Sequence, residues 1–97
     1  MLKVEYSPKF KRDYKRLLRK HFKMELLDDV IRLISVNDEH SKTELVSRHN
    51  MHSLKGKWNG NYECHVANIG DWLLVWCVTP NKAFLARTGT HDEIFKD

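Results

Sequence analysis

The alternation of apolar and polar residues divides the chain into an N-terminal helical part and a C-terminal part made of strands. Residues 2–6 alternate with a period of two, which is typical of a half-buried strand. Ser7 and Pro8 supply an N-cap and a proline at the first helical position, which predicts that a helix begins here. Its narrow apolar stripe consists of Phe10, Tyr14, Leu17, Leu18 and, at the border, His21.

A second helix is predicted over residues 24–36, because apolar residues recur there at helical spacing. Residues 37–53 are polar and have no strong period. We therefore expect a loop over this segment, with at most one helical turn around 44–48.

Three strands are predicted after this loop. Residues 62–68 alternate, whereas residues 72–79 form a continuous apolar run that suits a central strand buried on both faces. The third strand is predicted over residues 83–88 and ends at Gly89. Residues 91–96 can form a short terminal helix.

The order of the predicted elements is strand, helix, helix, strand, strand, strand. This order is typical of an α+β fold in which two N-terminal helices pack on one face of a small, mainly antiparallel sheet. The opposite face of the sheet is expected to be open. A chain of 97 residues is too short for two independent cores, so we expect a single domain over residues 1–97.

Positive charge is concentrated at the N-terminal end of the chain. Residues 1–23 hold nine Lys/Arg and two acidic residues, a balance of +7, whereas residues 24–97 hold eight and eleven, a balance of −3; together they give the net charge of +4. Such a basic segment suits a polyanion, either a nucleic acid or an acidic protein partner. A solvated helix face with an excess of basic residues is the alternative.

The remaining composition favours a cytoplasmic protein. The longest uncharged run is far shorter than the ~18 apolar residues of a membrane span, and the charged N-terminus does not resemble a signal peptide. Cys64 and Cys77 lie in apolar runs, where reduced core thiols are expected.

Histidines provide the candidate chemistry. His65 and Glu63 share one strand face because they are two residues apart. His52 precedes this strand, His91 follows the last strand, and Arg87 lies four residues before His91. In a small sheet these side chains can converge at one edge of the open face.

Several imidazoles with one guanidinium favour phosphodiester chemistry on RNA. One imidazole can take the proton of a ribose 2′-hydroxyl while another donates a proton to the leaving 5′ oxygen. Arginine can neutralise the charge of the pentacoordinate phosphorane. This scheme needs no metal and no other cofactor. The alternative is a zinc site with His52, His65, His91 and Cys64 as ligands. These residues lack the close spacing of typical zinc ligands, and Cys64 should face away from His65.

Four stretches in this order also resemble a known family: residues 52–60, residues 63–66, the Asp71–Trp72 pair, and residues 87–95. They resemble the RelE superfamily and, within it, the YafQ-type toxins of type II toxin–antitoxin systems. The resemblance covers essentially the whole chain.

The resemblance implies a microbial RNase-like fold and an endoribonuclease, an mRNA interferase, that cuts translated messages in the ribosomal A site. It implies the ribosome and mRNA as partners, and a cognate antitoxin protein that covers the basic surface. By matching position, His91 would be the general acid, and His52 or His65, helped by Asp71, would activate the 2′-hydroxyl. Arg87 would hold the scissile phosphate.

The resemblance also implies the binding residues. Phe95, which would stack on or brace a base, and Lys57 would contact the substrate. The first helix would bind ribosomal RNA through Lys9, Lys11, Arg12, Lys15, Arg16, Arg19 and Lys20. Two features depart from the family pattern: Glu63 stands where aspartate is frequent, and the loop over residues 66–70 is longer than usual.

Two other functions remain open at this point. The first is a non-catalytic inhibitor of the same fold, like the ParE-type toxins that poison DNA gyrase. The histidines argue against it, because a blocking protein needs no proton-transfer groups. The second is a free ribonuclease that cuts RNA without the ribosome.

Overall fold

The structure, a computed structural model, describes residues 1–68 and 70–96; Ile69 of the predicted long loop lies outside the described residues. The strands and helices form an α+β arrangement, in which three helices follow the first strand and precede the other four strands. In chain order the elements are β1 (Lys3–Tyr6), α1 (Pro8–Arg19), α2 (Met24–Val36), α3 (Glu39–His49), β2 (His52–Ser53), a 3₁₀ turn (Gly56–Trp58), β3 (Tyr62–His65), β4 (Leu73–Val78), β5 (Lys82–Gly89) and α4 (His91–Phe95).

The five strands form one sheet in the order β1-β5-β4-β3-β2. β1 pairs with β5 in parallel, and every other neighbouring pair is antiparallel. β4 is the central strand, as its apolar run predicts, and a register shift at Val75/Trp76 interrupts its pairing with β5. The predicted α+β fold with a mainly antiparallel sheet is confirmed.

α1 begins as the sequence predicts, because the Ser7 hydroxyl accepts a hydrogen bond from the amide of Phe10 at 2.9 Å and Pro8 occupies the first turn. Its buried stripe differs from the predicted one. Phe10 and Leu17 are buried, but so is Asp13, whereas Leu18 is 55% exposed. An acidic residue therefore lies in the stripe that faces the sheet.

The predicted loop over residues 37–53 is wrong, since α3 fills most of it. Asp38 caps this helix: its carboxylate accepts from the Ser41 amide at 2.7 Å, and its own amide donates to the Ser41 hydroxyl at 2.9 Å. Only Ser41 and Leu45 of α3 are buried, which explains the weak apolar period. Three helices rather than two precede the last four strands.

Two apolar cores lie on the two faces of the sheet. The larger core joins the helices to one face and includes Leu17, Leu27 and Trp76. The smaller core, built on Leu73 and Val75 of β4, is closed by residues of α4 and of the 3₁₀ turn. The second face is therefore partly covered and not open as expected. No helix in the described part of the chain has the length and apolar character needed to cross a bilayer.

Candidate active site

His91 and Asp71 form a pair at the start of α4. The Asp71 carboxylate accepts from the backbone amide of His91 at 3.1 Å, and Nδ1 of the His91 ring lies 2.7 Å from Oδ1 of Asp71. Because an ionised carboxylate only accepts hydrogen bonds, Nδ1 carries the proton of this contact. The ring is thus fixed at one nitrogen while the other, Nε2, is left for a reacting group.

A row of rings runs through His91. The ring of His65, at the end of β3, has its centroid 6.4 Å from that of His91. The ring of Phe95, one helical turn after His91, lies 6.1 Å from that of His91, and Trp58 packs edge-on against Phe95 at 5.4 Å. Lys57, which is exposed, is the neighbour of Trp58 in the 3₁₀ turn. The structure therefore brings one strand histidine and one predicted substrate-binding ring to His91.

His52 has different neighbours from His65. It pairs with Glu63 across β2 and β3, and its Nε2 lies 3.5 Å from Oε1 of that buried glutamate. Its Nδ1 lies 2.8 Å from the backbone oxygen of Asn50. Asp71 pairs with His91 and not with His52 or His65, the two histidines that the sequence-based hypothesis assigned to it.

Arg87 is held by a carboxylate that the sequence analysis did not single out. Its Nε lies 2.7 Å from Oδ2 of Asp13, and its Nη2 lies 3.1 Å from Oδ1 of the same residue and 3.1 Å from the backbone oxygen of Glu93. Asp13 also accepts from the amide of Thr88 at 3.1 Å. Nη1 of Arg87 makes no hydrogen bond to a residue that the structure describes. One guanidinium therefore connects α1, β5 and α4.

The charges around Asp13 stabilise its ionised form. Burial by itself would raise the pKa of Asp13, but hydrogen bonds from Arg87, Arg16 and the Thr88 amide outweigh it and lower the pKa below its ordinary value. The hydrogen bond to Asp13 in turn raises the pKa of Arg87. The sequence signal for Asp13 was its place between Phe10 and Leu17 in the apolar stripe.

Arg16 extends this network to α4. It donates to Oδ1 of Asp13 at 2.8 Å and lies 3.0 Å from Oε2 of Glu93, which Lys20 also approaches at 3.7 Å. Glu93 completes the capping box of α4 with Thr90. Of the predicted ribosome-binding residues, Arg16 and Lys20 thus take part in ion pairs within the chain. Lys20 is nevertheless exposed, as are Lys9, Lys11, Arg12, Lys15 and Arg19.

The residues of the zinc alternative do not converge. Cys64 is buried in the core beneath the helices, on the opposite strand face from His65, and burial raises the pKa of this thiol to about 12. Cys77 is also a free thiol. Within residues 1–68 and 70–96, no three His, Cys, Asp or Glu side chains lie close enough to hold a metal ion.

Comparison with known proteins places the chain in one family. The family model described as bacterial toxin of type II toxin-antitoxin system, YafQ, matches residues 2–96. The mRNA interferase toxin YafQ of Escherichia coli K12 is 30% identical over 92 residues, which cover 95% of this chain and 94% of the relative.

Solved structures agree with this assignment. The crystal structure of YafQ from E. coli BL21(DE3) is 28% identical with a TM-score of 0.84, covering 98% of this chain and 99% of that one. A copper-bound mutant toxin from Helicobacter pylori is 33% identical with a TM-score of 0.84, covering 98% and 100%. The E. coli DinJ–YafQ complex is 28% identical with a TM-score of 0.80, covering 98% and 99%.

The sequence resemblance is confirmed by these matches. The predicted enzyme class, an endoribonuclease of the mRNA interferase type, is confirmed at the level of the family by the E. coli relatives. The chain therefore belongs to the YafQ family of bacterial toxins of type II toxin–antitoxin systems.

Proposed function

We propose that this toxin cleaves mRNA in the ribosomal A site by general acid–base catalysis without a metal ion. The observation that carries the proposal is the His91 ring, fixed by Asp71 at 2.7 Å and facing the ring of His65 at 6.4 Å. Two imidazoles at this separation can flank one phosphodiester, one on the side of the attacking oxygen and one on the side of the leaving oxygen.

In the proposed reaction the ribose 2′-oxygen attacks phosphorus and its proton passes to His65. The bond from phosphorus to the 5′ oxygen breaks, and His91 donates a proton from Nε2 to that oxygen. The products are a 2′,3′-cyclic phosphate and a 5′-hydroxyl. His65 is the better base of the two candidates because it lies beside His91, whereas His52 contacts Asn50 and Glu63.

Asp71 prepares His91 to act as the acid. When His91 carries a proton on both Nε2 and Nδ1, its ring is an imidazolium. The adjacent carboxylate of Asp71 stabilises that charge and orients the ring. In this scheme Asp71 assists the general acid.

The remaining predicted residues bind the substrate. Asp13 and the Glu93 backbone fix the Arg87 guanidinium, and its Nη1 contacts the scissile phosphate as charge develops there. The ring of Phe95, beside His91, stacks on a base, and the exposed Lys57 contacts a phosphate.

The partners follow from the family and from the exposed cations of α1. A related toxin from E. coli is described in a toxin–antitoxin complex with DinJ. We infer that a cognate antitoxin covers the basic surface of this chain, that the exposed Lys11, Lys15 and Arg19 attach the free toxin to ribosomal RNA, and that both events occur in the cytoplasm, where messages are translated.

Primer extension on a message that is being translated tests the proposal. We expect new 3′ ends that vanish with His91→Ala, and no comparable cutting of naked RNA. Intact message together with arrested DNA supercoiling would indicate a ParE-type gyrase inhibitor, and efficient cutting of naked RNA would remove the ribosome requirement.

Metal independence has its own test, because a similar toxin from H. pylori has been described with copper bound. We expect toxin that has been treated with EDTA, and then freed of the chelator, to cleave the translated message at an unchanged rate. Loss of cleavage on chelation, restored by zinc or copper, would contradict the mechanism.

A further inference from the structure

A groove of about 640 Å³ lies between the N-terminal end of α1, strand β5 and helix α4. Four cationic side chains line it: Lys9 and Arg12 from α1, Arg87 from β5, and Lys96 just after α4. None of the described residues that line the groove is acidic. The indole of Trp58 forms part of its wall.

The positive charge of this groove is largely uncompensated. Within the described part of the chain, Lys9, Arg12 and Lys96 form no ion pair. The situation differs at the C-terminal end of α1, where Arg16 pairs with Asp13 and Glu93 and where Lys20, just after the helix, lies 3.7 Å from Glu93. The positive end of the α1 dipole lies at the same groove and adds to the attraction for an anion.

The groove is continuous with the candidate active site. Trp58, in the groove wall, packs against Phe95 at 5.4 Å, and Phe95 lies 6.1 Å from His91. Arg87, which is assigned to the scissile phosphate, also lines the groove, so a polymer whose cleaved phosphate contacts Arg87 and His91 can extend from there along the groove.

We propose that this groove binds the sugar–phosphate backbone of the single-stranded message beside the cleavage site, with Lys9, Arg12 and Lys96 on successive phosphates and Trp58 against a base. The proposal rests on the proposed function. An aromatic wall favours RNA with unpaired bases over an acidic peptide, because stacking requires an exposed base and is then added to the charge attraction.

The test is fluorescence anisotropy with a labelled single-stranded RNA of about ten nucleotides, within the usual site sizes for such strands. Its riboses carry 2′-O-methyl groups, so the wild-type toxin binds it without cutting it. We compare Lys9→Glu/Arg12→Glu with Lys23→Glu/Lys42→Glu. The two double variants change the net charge equally, but Lys23 and Lys42 are exposed, lie outside the groove and are not among the predicted RNA-binding residues.

We expect the groove variant to bind about tenfold or more weakly at low salt and the control variant to lose less than about threefold. The slope of log affinity against log salt should become shallower by about 1.4 for the groove variant, since each phosphate contact on a single strand contributes about 0.7. Thermal melting of both variants checks that they are folded.

Equal losses in the two variants would overturn the proposal, since they would indicate a diffuse attraction. The proposal would also fail if labelled polyglutamate of equal charge bound the wild type as tightly as RNA and lost affinity by the same factor, because the groove would then fit an acidic protein. Failure of the proposed function would look different. The wild-type toxin would then bind the oligonucleotide through the groove but cut no translated message, which would contradict the nuclease function and leave the groove proposal intact.

Discussion

Two carboxylates each hold one basic side chain of the candidate site, and the surroundings of the two carboxylates differ. The side chain of Asp13, which holds Arg87, is 3% exposed, whereas that of Asp71, which holds His91, is 46% exposed. Asp13 accepts hydrogen bonds from three residues in the interior. Asp71 contacts only the ring and the amide of His91 among the described residues.

Because of this difference in burial, we expect the two pairs to affect stability and catalysis to different extents. Removing one partner of a buried ion pair leaves an uncompensated charge and typically costs about 3–5 kcal/mol, whereas exposed pairs contribute about 0–1 kcal/mol. The Asp13 pair should therefore maintain the fold and fix Arg87 in place, and the Asp71 pair should affect the reaction almost alone. Substitutions in each pair test this division.

Arg87→Ala should have the largest effect, because it acts on both properties. We expect cleavage of the translated message to fall by about a hundredfold or more, as for a lost electrostatic stabiliser. The free energy of unfolding, measured with urea, should fall by about 3 kcal/mol. Adding Asp13→Asn to Arg87→Ala should restore part of the stability but no cleavage, since it removes a buried carboxylate that has lost one of its two cationic partners and keeps only Arg16. Recovery of cleavage together with stability would show that Arg87 acts only through the fold.

His91→Ala should lower cleavage by a similar factor, about a hundredfold or more, because a general acid is lost. Its free energy of unfolding should stay within about 0.5 kcal/mol of the wild type, as for other exposed positions. The matched control is His40→Ala, which removes an exposed histidine of α3 and should change neither quantity. A stability loss as large as that of Arg87→Ala would contradict the comparison.

The sequence marked both residues of the His91 pair, although it assigned Asp71 to His52 or His65 and not to His91, whereas it marked only Arg87 of the other pair. His91, Asp71 and Arg87 lie at motif positions that the family resemblance marks. Asp13 does not, because a single acid among the basic residues of α1 reads as a surface residue until its place in the apolar stripe is known.

The helices and strands could also be predicted only in part. Those with a strong apolar period were predicted correctly, because the spacing of their apolar residues indicates which side chains are buried. α3 was missed because it buries only Ser41 and Leu45, and its start depends on the capping box formed with Asp38. The pairing of Arg16 with Glu93 was also inaccessible, because Glu93 lies in α4 at the other end of the chain.

Asp71→Asn should have a smaller effect than the loss of His91. The amide can still accept a hydrogen bond from His91 but cannot stabilise the imidazolium, so we expect cleavage to fall by about tenfold. Asp92→Asn on α4 is the control, since that exposed acid forms no ion pair with a described residue, and it should keep the wild-type rate. If both variants cleaved equally well, Asp71 would have no role in orienting His91.

The smallest effect should appear in the pH dependence of stability. The pKa of Asp13 is lower in the folded chain, so its contribution is fully present above about pH 4, the ordinary pKa of aspartate, and is lost as the pH falls through the folded value. The difference in free energy of unfolding between the wild type and Asp13→Asn should therefore shrink on acidification below about pH 4. A difference that stays constant down to pH 2 would show that the pKa of Asp13 does not change on unfolding.

The role of His91 as the acid can be measured with a message that carries sulfur in place of the 5′ oxygen at the cleavage site. Sulfur leaves without protonation, so a variant that lacks only the acid should cleave this message at nearly the wild-type rate. We expect such rescue for His91→Ala, and none for His65→Ala, which lacks the base. A His91→Ala toxin that stayed as slow on the sulfur message as on the ordinary one would contradict the account.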